Sequence, residues 1–498
     1  MTPSSATRKP LISKSKYLSG LQCLKLLWFY YNRKDQIPPI DAATQAVFDQ
    51  GHVVGEYANR LFPNGIEIQR EHSDIPGVVE DSKKALAHRR PIFEAGFEFN
   101  GGFARADVLN PVAEGQWDLI EVKSSTEVKD VHLYDAAFQL YVYKNAGIEI
   151  RKVFVYCINN QYVRHGAIEP EKLFASWDIS VKVNELVPGI SSNVARMQQT
   201  INQAQCPEIK IGPHCTDPYG CPLIGICWEF LPPQNVTTLY RGGKKRFYLL
   251  DVGITEIKSV PADMTLTPSQ KIQKEAVISG RPHVDQKAIG AFLQSLEYPL
   301  FYLDFETFDT AIPLYDDVRP YLKVPFQYSL HIQRKPDVEP EHYSYLATGE
   351  TDPRPEILAN LQELLGKSGS IVVYNQSFEK GVLRSCCEFY PDYADWVGAL
   401  ETRFVDLLAP FRSFYYYHPD QNGSASIKDV LPALTGSGYE GMDIQDGNAA
   451  SREYLRVTFT AADEADRRKV RRQLEDYCTL DTYAMVVIVA KLRDLISH

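Results

Sequence analysis

Apolar positions recur along this chain with two periods, and the places where one period yields to the other mark its elements. Phe93 to Val108 alternates apolar and polar residues, with Gly101-Gly102 as the turn between two strands. Trp117-Asp-Leu-Ile-Glu-Val-Lys123 predicts another strand, and the apolar run from Lys152 to Ile158 a buried one. Helical spacing governs Tyr17 to about Leu61, with Asp35 to Pro39 as a break, and returns from Tyr134 to Asn145. Farther along, Leu300-Phe-Tyr-Leu-Asp304, Phe326 to Ile332 and Ile371-Val-Val-Tyr374 predict strands. Ser377 to Glu388 predicts a helix, and Arg468 to Ile496 one long terminal helix or two short ones.

The first group runs helix, strand, strand, strand, helix, strand, which predicts a mixed α/β unit over residues 17–230. Within it, Cys206 to Trp228 is rich in Cys, Pro and Gly and fits no regular element. Residues 231–297, with Arg241-Gly-Gly-Lys-Lys-Arg246, read as a small, basic, helical connector. A second α/β unit occupies residues 298–498, and residues 1–16 read as a disordered or loosely attached arm. A chain of 498 residues is too long for one core, which agrees with several domains.

Composition adds restraint rather than direction. A net charge of −10 argues against a protein that coats nucleic acid indiscriminately. Local charge differs: Arg8, Lys9, Lys14, Lys16, Lys25, Arg33 and Lys34 all precede the first acidic residue, Asp35. No stretch approaches the roughly 20 apolar residues of a membrane span. Nine cysteines without a leader segment suggest a reducing cytoplasm rather than a disulfide scaffold.

Chemistry enters at Asp107 and Glu121-Val-Lys123. On a strand, Glu121 and Lys123 share a face, and Asp107 on a neighbouring strand can share a cation with Glu121. Hard cations such as Mg²⁺ or Mn²⁺ take carboxylate oxygens and acidify a water for phosphodiester attack. Lys123 is placed to hold that water and offset phosphate charge. Gln139 and Tyr143 lie four apart on the following helix, aimed back at the site. An E-x-K pair alone is common on surface strands; Asp107 and Q-x-x-x-Y make it specific. Together these residues resemble the RecB-like branch of the PD-(D/E)XK nucleases, which implies a restriction-endonuclease-like sheet. Gln50-Gly-His52-Val-Val-Gly55-Glu56 resembles that branch's first motif. Gly55 stands where the family often has a metal-binding histidine, so the resemblance leaves Glu56 or His52 for that ligand.

Cys215-x5-Cys221-x5-Cys227 is compact, with Cys206 upstream and Cys23 far away. Thiols at such spacing can meet around one soft metal, and a zinc knot and an iron–sulfur cluster both fit. RecB-like nucleases such as those of CRISPR adaptation hold a [4Fe-4S] cluster with one early and three late cysteines. The resemblance implies Cys23, Cys215, Cys221 and Cys227 as ligands, with Cys206 to spare. The late spacing departs from the more frequent C-x-x-C-x5-C, which keeps Zn²⁺ open. Cys157, Cys386, Cys387 and Cys478 read as core residues.

The second unit carries Asp304-Phe-Glu306 at a strand end, Asn375-Gln-Ser-Phe-Glu379, and Tyr477-Cys-Thr-Leu-Asp481 on a helix. Asp304 and Glu306 share a face and can bridge two cations. Tyr477 and Asp481 share a helical face, with Tyr477 placed to orient a water. These motifs resemble the DnaQ-like (DEDD) exonucleases of the RNase H-like fold, in the branch with a tyrosine in its third motif. Glu379 stands where that family has Asp, and Asp406 is its rival as fourth carboxylate.

The resemblances imply a cytoplasmic, metal-dependent nuclease with two sites, acting on single-stranded or end-bearing DNA in repair, recombination or defence. RNA is the rival substrate. A non-catalytic nucleic-acid clamp or redox sensor built on the iron–sulfur cluster is the rival of another class.

Overall fold

The computed structural model describes residues 10–71 and 73–497, which mix helices and strands in an α/β fold. The chain forms two compact units, Met1–Glu229 with Thr310–Tyr321, and Phe230–Asp309 with Leu322–His498.

The first unit runs β1 (Ile12–Ser13), α1 (Lys14–Gln22), α2 (Leu24–Asn32), α3 (Ala42–Asn59), β2 (Ile66–Glu67), α4 (Ile75–Leu86), β3 (Ile92–Phe99), β4 (Gly102–Ala113), β5 (Gln116–Lys123), α5 (Asp130–Asn145), β6 (Glu149–Ile158), β7 (Phe174–Asp178) and α6 (Ser180–Ile201). Its sheet has the order β2-β3-β4-β5-β6-β7, with β1 beside β4. β3, β4 and β5 are antiparallel neighbours. β6 is parallel to β5, and α5 supplies the crossover that a parallel pair requires. α5 is buried on nearly every side, so its polar buried residues, His132, Asp135 and Gln139, need partners in the interior.

The expected arm is corrected by this arrangement. Residues 1–9 lie outside the described residues. From Ile12 onward the chain is built in: Ile12 is fully buried, β1 pairs with β4, and α1 starts at Lys14. Tyr17 stacks on Phe138 of α5, with ring centroids 4.6 Å apart. Gly20 lets α1 approach α6 closely, since a Cβ there would lie 2.7 Å from Met197 Cε. The long helical pattern is also cut where periodicity predicts no break, at Cys23, whose φ of −158° is extended. The stretch holding β7 and α6 carried no sequence expectation at all.

The basic connector is no separate body. Residues 230–309 cluster with the second unit, and Val236, Leu239, Leu249, Val260 and Leu266 build a small core of their own within it. There follow β8 (Leu300–Phe308), β9 (Val324–Gln333), β10 (Glu341–Leu346), α7 (Arg354–Leu364), β11 (Ile371–Val373), α8 (Gln376–Cys387), β12 (Phe404–Asp406), α9 (Ile427–Thr435), α10 (Gly447–Phe459) and α11 (Glu464–Asp494). The sheet order is β10-β9-β8-β11-β12, antiparallel across the first three strands and parallel across the last three.

Alternation along β8 sends Phe301, Leu303 and Phe305 into the core with α7 and α8. Asp304 and Glu306 therefore face the other way, toward α11, which packs on β8 and β9. Gln327 of β9 donates to the Leu474 carbonyl of α11 at 2.9 Å. α11 is one helix of 31 residues. Asp463 caps it by accepting from the Asp466 amide at 2.8 Å, and its acidic first and basic last turns oppose its dipole. The loop between β8 and β9 belongs to the first unit: Ala311 packs with Val54 and Ala58 of α3, and the Tyr321 hydroxyl donates to the Ser124 carbonyl.

Candidate functional site

In the first unit, β4, β5 and α5 bring Asp107, Glu121, Lys123 and Gln139 together. Glu121 is almost fully buried and accepts on both oxygens. Lys123 Nζ donates to Glu121 Oε1 at 2.6 Å, and Gln139 Nε2 to Oε2 at 2.7 Å. Asp107 accepts from the Val122 amide at 2.7 Å, which ties β4 to β5 beside Glu121. Two residues join that sequence reasoning passed over. Asp135 takes Lys123 Nζ at 2.8 Å and Gln139 Nε2 at 3.3 Å. Its place four residues before Gln139, on the same helical face, was a usable signal. Lys14 Nζ reaches Glu121 Oε1 at 2.7 Å and lies 3.9 Å from Asp107 Oδ1. No local pattern announces a contact 107 residues apart.

Electrostatics divides the two carboxylates. Burial, reinforced by the Glu121 charge, raises Asp107 to about 7. Burial would raise Glu121 too, but the Lys123 and Lys14 ammonium groups beside it pull it below the usual carboxylate range. His132 is lowered to about 4 by burial and by Lys123, so it is neutral at physiological pH.

Tyr143 does not meet the carboxylates as expected. Its hydroxyl donates to the Ala95 carbonyl and accepts from the Ala106 amide at 2.9 Å, clamping β3 to β4. Gln139 and Tyr143 thus share a helix face but serve different partners. His52 and Glu56 lie exposed on α3. Among the described residues, the side chains that reach Glu121 are Lys14, Lys123 and Gln139.

Cys23, Cys215, Cys221 and Cys227 line one cavity, with His214, Leu223 and Trp228. Burial raises the Cys23 and Cys221 thiols, Cys221 to about 11, and each is raised further by the other thiols of the set. Backbone N–H groups of Leu26 and Lys25 oppose this at Cys23 by favouring its thiolate. Four convergent thiols with amides directed at one sulfur form a soft donor set, which fits zinc or an iron–sulfur cluster. Cys206 packs beside the group without lining the cavity. Gln22 of α1 fastens the cysteine segment, donating to His214 O at 2.8 Å and Tyr219 O at 2.7 Å.

In the second unit, Asp304, Glu306, Glu379 and Asp481 converge, each raised first by burial. Asp481 adds to the shifts of Asp304 and Glu306, and Asp304 to that of Glu379. The Glu379 Oε2 atom is buried without a hydrogen-bond partner among the described residues. Asp406, its rival, is occupied structurally: its Oδ1 accepts from the Asn375 and Leu408 amides, each at 3.0 Å. Those bonds hold Asn375, at φ 90°, at the start of α8. Cys478 is fully buried, as expected of a core residue, and it also borders the acids. Its Sγ lies 3.9 Å from Asp304 Oδ2, and one ligand atom each from Asp304, Glu306 and Cys478 falls within 4.8 Å of the others. Burial keeps that thiol protonated, so the carboxylates make this a hard, oxygen-rich donor set that fits Mg²⁺ or Mn²⁺.

Tyr477 faces the same group. Lys428 of α9 donates to its hydroxyl at 2.8 Å, and the Tyr439 hydroxyl donates to Asp481 Oδ1. Neither Lys428 nor Tyr439 carried a sequence signal, since each arrives from a separate segment. Gly447 leaves room for Glu306, where a Cβ would lie 3.2 Å from Oε2.

Among the described residues, no helix is long and apolar enough to cross a membrane. Residues 301–426, which include Asp304, Glu306, Glu379 and Asp406 but not Asp481, match a family described as a domain of unknown function, DUF2779. The chain is 26% identical over 224 residues to the "Uncharacterized protein MG366 homolog" of Mycoplasma pneumoniae, covering 41% of this chain and 34% of that protein. It is 27% identical over 215 residues to "Uncharacterized protein MG366" of Mycoplasma genitalium, covering 39% and 32%. The chain thus spans about a third of the length of the curated relatives it matches.

Proposed function

We propose that this protein is a cytoplasmic metal-dependent nuclease that hydrolyses phosphodiester bonds of DNA, single-stranded or from ends, with one site in each unit. The observation that carries the reading is the convergence of Asp304, Glu306, Glu379 and Asp481 in a buried site. Four acids at that depth cannot all ionise unless a cation joins them. The mixed sheet with two of these acids on its central strand supports the DEDD-type, RNase H-like reading. Asp107, Glu121, Lys123 and Gln139 support the RecB-like reading of the first unit in the same way.

Bound Mg²⁺ or Mn²⁺ would supply an acidified water and charge for the departing oxygen. Asp304, Glu306 and Asp481 would hold it in the second unit, and Asp107 and Glu121 in the first. Tyr477, fixed by Lys428, orients the attacking water, which the carboxylates around it keep in line. Lys123, held between Glu121 and Asp135, offsets charge on the phosphate in the first site. Cys23, Cys215, Cys221 and Cys227 would hold a [4Fe-4S] cluster, with Zn²⁺ as the alternative that absorbance near 400 nm separates.

The test is degradation of end-labelled single-stranded DNA and RNA with Mg²⁺ or Mn²⁺, by wild type, Lys123→Ala, Asp304→Ala and the double variant. Partial loss in each single variant, complete only in the double, is expected on DNA. Wild type that binds both substrates and cuts neither replaces the nuclease with a nucleic-acid clamp. Cutting of RNA alone makes it a ribonuclease.

A further inference from the structure

We propose that Lys14 is a charge-setting residue of the first site, whose ammonium group weakens divalent-metal binding at Asp107 and Glu121 and strengthens binding of the phosphate backbone. The inference rests on the nuclease reading of that site.

The geometry is specific. Lys14 Nζ is 2.7 Å from Glu121 Oε1, the same oxygen that Lys123 approaches at 2.6 Å. It is also 3.9 Å from Asp107 Oδ1, so it lies between the two carboxylates expected to share a cation. Lys14 is no wandering surface side chain. It opens α1 directly after β1, and β1 is paired with β4, the strand that carries Asp107. Tyr17 and Gly20 then pack the same helix against α5 and α6.

The formal charges give the sign. In the ionised state that binds a cation, Asp107, Glu121 and Asp135 contribute three negative charges, and Lys14 and Lys123 two positive ones. The five groups therefore sum to one negative charge, and a divalent ion leaves one positive charge to meet a phosphodiester. Without Lys14 the site meets the metal with two negative charges and the phosphate with none. Removing Lys14 should thus tighten metal and loosen DNA, opposite changes that mere loss of packing does not produce.

The experiment measures Mn²⁺ affinity by calorimetry on the full chain, with Asp304→Ala as the common background to weaken the second site. Lys14→Met, which keeps the alkyl stem, is expected to bind Mn²⁺ at least about tenfold tighter, because a unit charge at this range is poorly screened inside a protein. Lys14→Arg should stay near the parent. Against single-stranded DNA, Lys14→Met should bind more weakly, with a log–log salt slope shallower by about 0.7, one phosphate contact. Should Lys14→Met fail to fold, Lys14→Gln carries the same expectations. Unchanged or weaker Mn²⁺ binding in the neutral variant overturns the inference. Glu121→Gln keeps the two failures apart: if it too leaves Mn²⁺ affinity untouched, the nuclease reading of the site falls, and if it lowers the affinity, only the role of Lys14 falls.

Discussion

At the scale of single residues, neighbours decide which acids can serve a metal. Asp406 spends its carboxylate on two backbone amides, whereas Glu379 leaves a buried oxygen unpaired. Asp406→Ala should therefore cost stability, about 1–3 kcal/mol for the orphaned amides. Glu379→Gln should leave melting nearly unchanged yet abolish hydrolysis by the second site in a Lys123→Ala background. Denaturation and cleavage assays separate the two, and the reverse pattern would make Asp406 the ligand. The same acids set a pH dependence. Folding raises Asp107 to about 7 and raises Asp304 and Glu306 as well. A carboxyl raised by folding binds its proton more tightly in the native state. Stability is then full below the unfolded value near 4 and falls as pH rises through the folded one. In chelator, unfolding free energy should drop as pH rises from about 4, through about pH 7 for Asp107, by up to roughly 1.4 kcal/mol per pH unit for each carboxyl still titrating. Mg²⁺ should reverse the loss, and Asp304→Asn should flatten the slope. A melting series without that slope contradicts the raised values. Glu121 with Lys123, and Asp304 with Glu306, could be read from motif spacing because each pair lies on one strand face; Asp135 offered a similar helical signal with Gln139 and was passed over. Lys14, Lys428 and Tyr439 could not, because each reaches its partner from a distant segment.

At the scale of elements, two residues on one face need not share one task. Gln139 and Tyr143 are a turn apart on α5, yet Gln139 holds Glu121 while Tyr143 joins β3 to β4. Tyr143→Phe removes both backbone bonds and should destabilise by about 1–3 kcal/mol, read by chemical denaturation. Mn²⁺ affinity should not change, and a large drop would return Tyr143 to the metal site. α1 is the second case. Its first residue touches the carboxylates, and the residue that ends it, Cys23, lines the cysteine cavity. Cys23→Ser should lower bound iron or zinc and reduce amide-exchange protection across α1, with fading protection at Tyr17 and Leu18 as the readout. Full protection in the metal-depleted variant would mean that packing alone holds the helix. Strand and helix types were legible from periodicity, including the turn at Gly101-Gly102. The break at Cys23 was not, because helical spacing continues through it and only the cavity beside it calls for an extended residue.

At the scale of the whole molecule, the sequence by itself determined the α/β class, the presence of two carboxylate sets and the grouping of cysteines. These follow from side-chain period and local spacing, which act over a few residues. Tertiary structure decided what depends on contacts far apart in the chain. Ile12 and Lys14 leave the expected arm because a buried strand edge and a carboxylate pair receive them. Residues 230–309 join the second unit through a small core of their own. The loop Thr310–Tyr321 packs with the first unit although it connects two strands of the second. Cys23 meets cysteines nearly two hundred positions later because α1 and the cysteine segment are tied through Gln22. Periodicity reports which face of an element is apolar, but not which partner that face will find. The partner is fixed only when burial, charge pairing and hydrogen bonding are satisfied together.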